Sequence, residues 1–337
     1  MTQVCFYAPV SDLRIIERVE FYKQDIDILR ALGYEVTIAT RWNHIPWNAD
    51  LYFVWWWTWA FLPLLKARIR HRPVLITGTF DYRWPVPGKD YYRRPWWQRY
   101  LLWYSLSHAS ANVFVSYTEY YALKKELQVP NAYFIPHVLD PNTYTLSLSQ
   151  REELVLTIAW MQKSNVERKC VSEVIQAIPL VLRQHPHARF IIAGEQGDAY
   201  PSLCALVEQL GIEDVVDFPG VISKERKIDL LQRCEVYLQP SIYEGFGLAI
   251  LEAMSCGAAV VSSPAGAVQE VVGDTGLLVD GRSPEAIAAA VNQLLDDAAL
   301  RERLGQKARQ RVEQLFSLER RKDALRHIID TLLRHRA

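Results

Sequence analysis

The chain has 337 residues, of which 50% are hydrophobic, and its 38 Lys and Arg residues balance its 38 Asp and Glu residues. This length suits two domains with apolar cores, and the zero net charge gives no global attraction to nucleic acid, so no nucleic-acid partner is expected. The five cysteines lack C-x-x-C spacing, which argues against a disulfide framework or a zinc site and favours a reducing compartment.

No targeting or membrane-spanning segment is predicted. The N-terminus reads as a strand and lacks the charged start and apolar core of a signal peptide. The uncharged run 51–65 is shorter than the roughly 20 residues that span a bilayer, and Pro63 interrupts it. We therefore expect a cytoplasmic protein, and a location at the inner face of the membrane stays open.

Strands and helices alternate through the first half, which predicts a parallel, doubly wound α/β sheet. The predicted strands are 4–8, 35–40, 51–56, 74–77, 112–116 and 133–135, and the predicted helices are 11–32, 58–70, 96–107 and 119–127. Because such sheets bind ligands at the carboxyl ends of their strands, the loops after the strands are the candidate binding positions.

Asp25 and Asp27 form a D-x-D pair, a pattern that binds divalent metal in some enzymes. Both lie within a predicted helix, where residues two apart point to nearly opposite faces. We therefore interpret the pair as helix surface and expect no metal.

Aromatic and basic residues are concentrated in two segments. Residues 55–59 contain four tryptophans and precede Lys66, and residues 91–100 mix Trp and Tyr with Arg. Three interpretations stay open: a buried strand end followed by a solvated basic helix, contact with an anionic membrane, or stacking on the sugar rings of an acceptor.

The polar segment 150–153 marks the predicted domain boundary, with domains at 1–150 and 151–315 and a final amphipathic helix at 316–337. A second set of strands and helices lies beyond it. The predicted strands are 154–159, 190–193, 215–219, 236–238 and 260–263, and the predicted helices run up to 182 and at 224–233, 248–255, 265–270, 284–295, 299–315 and 317–334.

The stretch 241–257 reads as a glycine loop followed by a helix. The first N–H groups of the helix, near Gly247 and Leu248, are unpaired and lie at the positive end of its dipole, which suits a diphosphate. Glu252 lies about 6–7 Å further along, within reach of ribose hydroxyls, and Glu244 lies in the loop where a sugar would sit.

Glu244 and Glu252, with Gly-Phe-Gly between them, resemble the Glu-x7-Glu motif of family 4 retaining glycosyltransferases. The segment 260–280 resembles the strand, helix and strand that succeed this motif in the family. The resemblance implies the GT-B fold, with two Rossmann-like doubly wound domains facing across a cleft. It further implies an acceptor-binding first domain, a second domain that binds the nucleotide sugar, and a terminal helix that crosses back to the first.

The resemblance also implies roles for individual residues. Lys169 matches the family's phosphate-binding lysine, whereas Trp160 stands at the position of its arginine, so the second cation would come from Arg168 or Lys163. Further donor-binding candidates, taken from the motifs that match the family, are Gly245, Phe246, Gly247, Leu248, Gly194, Glu195, Val221 and His137.

Two departures from the family pattern concern the first domain. The glycine pair after the first strand is missing, and no histidine follows the strand 74–77. Asp81 or Thr79 would take the place of that histidine near the donor sugar, and Asp81 is therefore a catalytic candidate together with Glu244 and Lys169.

The resemblance predicts a hexosyltransferase that moves a sugar from a UDP- or GDP-linked donor to a hydroxyl of a glycan or lipid-linked acceptor in polysaccharide biosynthesis. The leaving phosphate would act as base, and no cofactor is expected. Two alternatives stay open: a non-catalytic GT-B subunit that binds a sugar nucleotide or a partner glycosyltransferase, and a GT-B relative such as a sugar phosphorylase or an epimerase.

Overall fold

The computed structural model describes residues 1–80, 90–146 and 150–334. The chain forms two units: the first comprises Met1–His137 and the segment from Leu318 onward, and the second comprises Val138–Ser317. Residues 138–146, predicted to lie in the first domain, thus group with the second unit. No helix in the described part of the chain is both long and apolar enough to cross a bilayer.

The first unit contains a six-stranded parallel sheet in the order β2-β1-β3-β4-β5-β6. Its strands are β1 (Gln3–Tyr7), β2 (Glu35–Ala39), β3 (Leu51–Trp55), β4 (Val74–Gly78), β5 (Ala111–Phe114) and β6 (Ala132–Phe134). Every residue of β3, β4 and β5 is buried, as expected for strands with apolar packing on both faces. The predicted doubly wound sheet is confirmed.

Helices flank this sheet. They are α1 (Leu13–Arg18), α2 (Glu20–Ala31), α3 (Phe61–Ile69), α4 (Trp96–His108), α5 (Tyr117–Glu126) and the C-terminal helix Leu318–Arg334. The single helix predicted at 11–32 is two helices, because Val19 between them is extended. The N-cap of α1 is Asp12, whose side chain accepts from the backbone N–H of Arg14.

The C-terminal helix packs in the first unit through Leu325, Ile328 and Ile329. Asp25 is fully buried there and accepts two hydrogen bonds from Arg321, at 2.7 and 2.9 Å. The prediction that Asp25 lies on the helix surface is therefore wrong. Its partner is a residue 296 positions away, which no pattern within α2 reveals.

The second unit contains another parallel sheet, in the order β12-β11-β10-β7-β8-β9. Its strands are β7 (Glu152–Ile158), β8 (Arg189–Ala193), β9 (Val216–Asp217), β10 (Cys234–Gln239), β11 (Ala259–Ser262) and β12 (Gly276–Leu278). Successive strands move outward from β7 on one side and from β10 on the other, so the direction of winding reverses between β7 and β10.

The helices of the second unit are α6 (Lys163–Lys169), α7 (Val171–Leu182), α8 (Tyr200–Leu210), α9 (Lys224–Arg233), α10 (Leu248–Ser255), α11 (Val268–Val272), α12 (Pro284–Asp296) and α13 (Ala298–Leu315). The bounds of α9 and α10 agree with the prediction, whereas α8 was not predicted. The segment after β7 contains α6, which Cys170 separates from α7 by adopting a left-handed conformation.

Candidate functional site

Polar side chains converge where the winding of the second sheet reverses. In open parallel sheets this switch point forms a crevice outside the carboxyl ends of the strands, and ligands bind there. Strands β7 and β10 end at Ile158 and Gln239, respectively, and the side chain of Lys169 bridges these two ends. Its Nζ donates to the Ile158 carbonyl at 3.0 Å and to Gln239 Oε1 at 3.1 Å.

Gln239 is the centre of this cluster and is 1% exposed. Its Oε1 also accepts from the Tyr237 hydroxyl at 2.7 Å, and its Nε2 donates to Glu244 Oε1 at 2.9 Å. One side-chain amide therefore holds both the lysine and the loop carboxylate in place.

Lys169 lies 4.0 Å from Glu244 Oε1, and both side chains are largely buried. Burial lowers the pKa of Lys169 from 10.5 to about 8; the nearby Glu244 carboxylate partly offsets this effect. The site therefore holds a lysine whose charged form is disfavoured by burial. An anion bound beside it would favour that charged form.

Arg168 is the second cation of the cluster. Its Nη1 lies 2.7 Å from Glu244 Oε1 and donates to the Tyr243 carbonyl at 3.1 Å. Arg168 and Lys169 are the last two residues of α6, and Cys170 ends that helix with φ 52°. Trp160, at the position of the family's arginine, is exposed, whereas α6 places the guanidinium of Arg168 beside Glu244.

The loop that carries Glu244 is held against the segment before α11. The Glu244 carbonyl accepts from the N–H of Ala267 at 2.9 Å. Gly266 has φ 59°, and a Cβ atom there would lie only 2.2 Å from the Glu244 carbonyl oxygen. Only glycine permits this close approach. The Ser241 hydroxyl also donates to Glu244 Oε1, at 3.0 Å.

Helix α10 begins directly after this loop. Gly247 is its N-cap with φ 99°, and Leu248 is its first residue. Phe246 is buried and packs against Phe316 with ring centroids 5.9 Å apart, which fixes the loop beside Gly245. The first N–H groups of α10 have no partners within the helix and carry the positive end of its dipole.

Glu252 lies one turn into α10 and is 4% exposed. Its Oε1 accepts from the Tyr144 hydroxyl at 2.7 Å and pairs with Lys227 Nζ at 2.6 Å. The carboxylate therefore has a fixed position relative to the start of α10. Tyr144 and Lys227 were not predicted from the sequence.

Three other donor-binding candidates come after β8 and β9. Gly194 ends β8 with φ 150°, and a Cβ atom there would lie 1.9 Å from the Ala159 carbonyl oxygen, so glycine permits tight packing beside the end of β7. Glu195 is exposed and its carbonyl accepts from the N–H of Met161 at 2.8 Å. Val221 is exposed on the loop after β9.

The two remaining candidate site residues, His137 and Asp81, lie in the segment of the chain that forms the first unit. His137 is buried there, and its ring stacks on Trp55 at 5.7 Å and on Phe21 at 5.6 Å. Burial, and to a smaller extent the positive charge of Arg321, lowers the pKa of His137 well below its usual value, so the ring is neutral. Asp81 lies outside the described residues.

The first unit has its own cavity, of about 310 Å3. The winding of its sheet reverses between β1 and β3, and the cavity is lined by residues that come after these strands and β4, including Pro9, Trp56 and Thr79. Trp56 has φ 75°, a conformation that is strained for any residue with a side chain. Its indole N–H donates to the Tyr22 hydroxyl at 2.6 Å, which holds it there.

The tryptophans of residues 55–59 differ in exposure. Trp55 and Trp57 are fully buried, as the strand-end interpretation predicts, whereas Trp59 is exposed. Trp56, Trp57 and Trp59 all line the cavity. Among the described residues, no group of three or more His, Cys, Asp or Glu side chains is arranged as metal ligands.

The family described as "Glycosyl transferases group 1" matches residues 155–311. This segment belongs to that family. It contains the cluster at the switch point of the second sheet, which consists of Arg168, Lys169, Gln239 and Glu244. It also contains Glu252, and the resemblance drawn from Glu244 and Glu252 is confirmed.

A curated relative of this glycosyl transferases group 1 segment is the O-antigen chain mannosyltransferase B of Escherichia coli, 38% identical over 136 residues. That alignment covers 40% of this chain and 36% of the relative. Across the curated relatives compared, the chain matches between 28% and 51% of their own length.

Two solved structures are similar over nearly the whole chain. Sucrose-phosphate synthase from Thermosynechococcus elongatus has a TM-score of 0.80 at 19% identity, covering 99% of this chain and 100% of its own. HepE from Anabaena, in complex with UDP and glucose, has a TM-score of 0.76 at 18% identity, covering 98% and 100%. These likenesses confirm the GT-B fold.

Sequence reasoning missed several residues that build this site: Gln239, Ser241, Gly266, Tyr144 and Lys227. One signal was available, because Gln239 is a polar residue at the carboxyl end of an otherwise buried strand. The others depend on contacts between distant segments, and no local pattern indicates them.

Proposed function

We propose that this chain is a retaining hexosyltransferase. It would transfer a sugar from a nucleoside diphosphate sugar to a hydroxyl of a glycan or lipid-linked acceptor, within polysaccharide biosynthesis. The observation that carries this proposal is the convergence of Arg168, Lys169 and Glu244 at the switch point of the second sheet, next to the start of α10.

The cluster fits a leaving diphosphate. Breaking the sugar–phosphate bond leaves negative charge on the diphosphate, and two cations together with helix N–H groups stabilise that charge. In the free protein, Glu244 pairs with Arg168 at 2.7 Å and lies near Lys169. On donor binding, phosphate oxygens would take over these cations, and the Glu244 carboxylate would accept hydrogen bonds from sugar hydroxyls.

Glu252 is the proposed ribose ligand. Both of its protein partners, Tyr144 and Lys227, contact Oε1, so a ribose hydroxyl would approach Oε2. Because these partners fix the carboxylate, its position is set before the nucleotide arrives, which reduces the ordering cost of binding. The proposal for UDP or GDP rests on the family, and the HepE structure contains UDP.

The acceptor would occupy the cavity beside Trp56 and Trp59, because it lies at the switch point of the first sheet. Retention rests on the family resemblance, in which the leaving phosphate takes the proton of the acceptor hydroxyl, so no protein nucleophile or cofactor is required. A cytoplasmic location is part of this proposal and is supported by five unpaired cysteines.

The first test is a thermal-shift screen against UDP, GDP, ADP and their sugar conjugates. Replacing Glu252 with Ala would leave Lys227 and Tyr144 without their partner, so Glu252→Gln is the better variant, since it keeps an acceptor for Tyr144. The matched control is Glu235→Gln, because Glu235 is also largely buried, pairs with Arg301 at 2.8 Å and lies at the opposite end of β10 from Gln239. We expect one base to raise the Tm of the wild type and of Glu235→Gln, and to have little effect on Glu252→Gln.

A shift that Glu252→Gln retains in full would remove this residue from the donor site. No shift with any nucleotide, in a folded wild-type protein, would contradict the transferase proposal. Donor binding without transfer to any acceptor and without hydrolysis would favour the non-catalytic GT-B subunit.

A further inference from the structure

Helix α4 in the first unit exposes large aromatic side chains. Trp96, Trp97, Tyr100 and Trp103 are all at least 46% exposed, and their spacing places them along one side of the helix. Leu102 and Leu106 on the opposite side are buried. A surface helix of a globular protein has one apolar face toward its core. Helix α4 therefore has a second apolar face that the core does not explain.

Helix α3 repeats this arrangement. Leu62, Leu65 and Ile69 recur at helical spacing and are between 39% and 60% exposed, whereas Leu64 and Ala67 are buried. The two helices are neighbours, since the Phe61 ring of α3 lies 5.4 Å from the Tyr104 ring of α4. Two exposed apolar stripes thus lie on adjacent helices of one unit. We call them together the α3–α4 face.

Two more tryptophans belong to its edge. Lys66 of α3 donates to the Ile45 carbonyl at 2.7 Å, and its Nζ lies 4.8 Å from the centre of the Trp47 ring. Trp42 and Trp47 are both exposed. The loop that carries them is therefore fixed beside α3, and it adds aromatic area to the face.

The charged residues in the two segments that contain α3 and α4 are all basic. Residues 57–72 and 91–108 contain seven Lys and Arg residues and no Asp or Glu, in a chain whose net charge is zero. Arg68, Arg70 and Arg93 are exposed. Arg72 pairs with Asp50 at 3.6 Å, and Asp90 directly precedes the second segment. Cations therefore outnumber acidic residues around the apolar stripes.

The exposed apolar area and the positive charge of the α3–α4 face together indicate the kind of partner that it binds. Large apolar side chains exposed together on two adjacent helices indicate an interaction site. Two copies of this chain would bring like charges together, which disfavours self-association. Trp and Tyr side chains among Lys and Arg match the interface of an anionic bilayer, where rings enter the headgroup region and cations meet lipid phosphates.

We infer that the α3–α4 face docks this protein on an anionic lipid bilayer. Docking itself does not depend on the transfer reaction. One consequence rests on the proposed function: the first unit's cavity is lined by Trp59 and Arg94, which come just before α3 and α4 in the chain. An acceptor anchored in the bilayer would reach the cavity with its polar head.

The test is co-sedimentation of the full chain with phosphatidylcholine vesicles, with and without phosphatidylglycerol, at low and high salt. We expect sedimentation with the anionic vesicles only, weakening as salt rises. The double variant Trp96→Ser/Trp97→Ser should bind about tenfold more weakly or worse. The variant Arg68→Gln/Arg70→Gln should lose about fivefold for each cation, the effect of a cation near an anionic surface.

The matched control is Tyr121→Ser/Lys125→Gln on α5, where both residues are exposed and lie outside the face. It should bind like the wild type. No sedimentation at low salt, or equal loss in the control, would overturn the proposal. A wild-type dimer that Trp96→Ser/Trp97→Ser dissociates would assign the face to a second copy and would overturn it as well.

Nucleotide thermal shifts, measured on the same variants, separate this inference from the proposed function. Retained nucleotide binding without vesicle binding would overturn the docking alone. Vesicle binding by a protein that no nucleotide stabilises would contradict the transferase proposal and leave the docking supported.

Discussion

Lys169 is held at the site by a backbone carbonyl of one residue and the side-chain amide of another. The carbonyl of Ile158 and the amide of Gln239 accept its hydrogen bonds, so its ammonium is held where β7 and β10 end. Burial disfavours its charge, and its pKa falls to about 8. A bound diphosphate would favour the charged form and raise that pKa again.

This shift predicts how nucleotide affinity depends on pH. Below about pH 8 the amine is protonated and attracts the diphosphate; as pH rises through that value the charge is lost and affinity falls. We expect the Kd for the nucleoside diphosphate to rise roughly tenfold between pH 7 and pH 9, with proton uptake on binding near pH 8.5. Isothermal titration calorimetry in two buffers of different ionisation enthalpy measures both effects.

Lys169→Arg is the control, because an arginine remains charged over this range. Its Kd should change less than about twofold between pH 7 and pH 9 if the lysine causes the pH dependence. The same tenfold rise in this variant would assign the titration to another group.

At the scale of elements, the loop between β10 and α10 is positioned by a neighbour rather than by its own sequence. The N–H of Ala267 and the missing side chain of Gly266 hold the Glu244 backbone in place. Helix α10 then starts at a fixed point, and Phe246 packed on Phe316 keeps it there. The donor site therefore depends on the packing between this loop and the segment before α11.

Gly266→Ala tests this dependence, and Gly211→Ala is its matched control. The two glycines have φ 59° and φ 64°, but a Cβ at Gly211 meets nothing within 4 Å, whereas one at Gly266 meets the Glu244 carbonyl. Both variants should lose about 1–2 kcal/mol of unfolding free energy from the left-handed conformation. Gly266→Ala should lose about 1–3 kcal/mol more from overpacking.

Urea unfolding measures the free energies of the two variants, and a nucleotide thermal shift measures the donor site. The shift should be retained in Gly211→Ala and lost in Gly266→Ala. Equal stability and equal nucleotide binding in the two variants would show that the loop accommodates the side chain.

At the scale of the whole molecule, the C-terminal helix packs into the core that the N-terminal segment forms. The C-terminal helix contributes Leu325, Ile328 and Ile329 to the core of the first unit. Arg321 pairs with Asp25 and also donates to the carbonyls of Ile135 and Pro136. The buried guanidinium thus joins α2, the end of the first unit's main segment and the terminal helix.

Removing one partner of this buried pair should be costly. Asp25→Ala leaves Arg321 uncompensated and should lower the unfolding free energy by about 3–5 kcal/mol, whereas Asp25→Leu/Arg321→Met should recover much of that loss. Guanidinium unfolding measures these effects. The control is Glu319→Ala on the same helix, where Glu319 is exposed and pairs with Lys322; it should cost about 1 kcal/mol or less. Equal effects at Asp25 and Glu319 would contradict the structural role.

Several features of this protein were determined by the sequence alone. The alternation of apolar runs and helical patterns predicted both parallel sheets, because strands buried on both faces must be apolar throughout. The bounds of α9 and α10 were also predicted, and the structure shows Ser223 and Gly247 as the N-caps of these two helices. The nearness of Glu252 to the start of α10 was predicted from helical rise.

Only the tertiary structure decided the rest. Three contacts bring together segments that are distant in sequence, so no local pattern predicts them. They are the pairing of Asp25 with Arg321, the contact of Tyr144 with Glu252, and the position of Gln239 between Lys169 and Glu244. Residues 55–59 read as one aromatic run, yet the fold buries Trp55 and Trp57 and exposes Trp59. The physical reason is that local periodicity fixes which face of an element is apolar, whereas the partner of a polar or aromatic group depends on which elements the fold brings beside it.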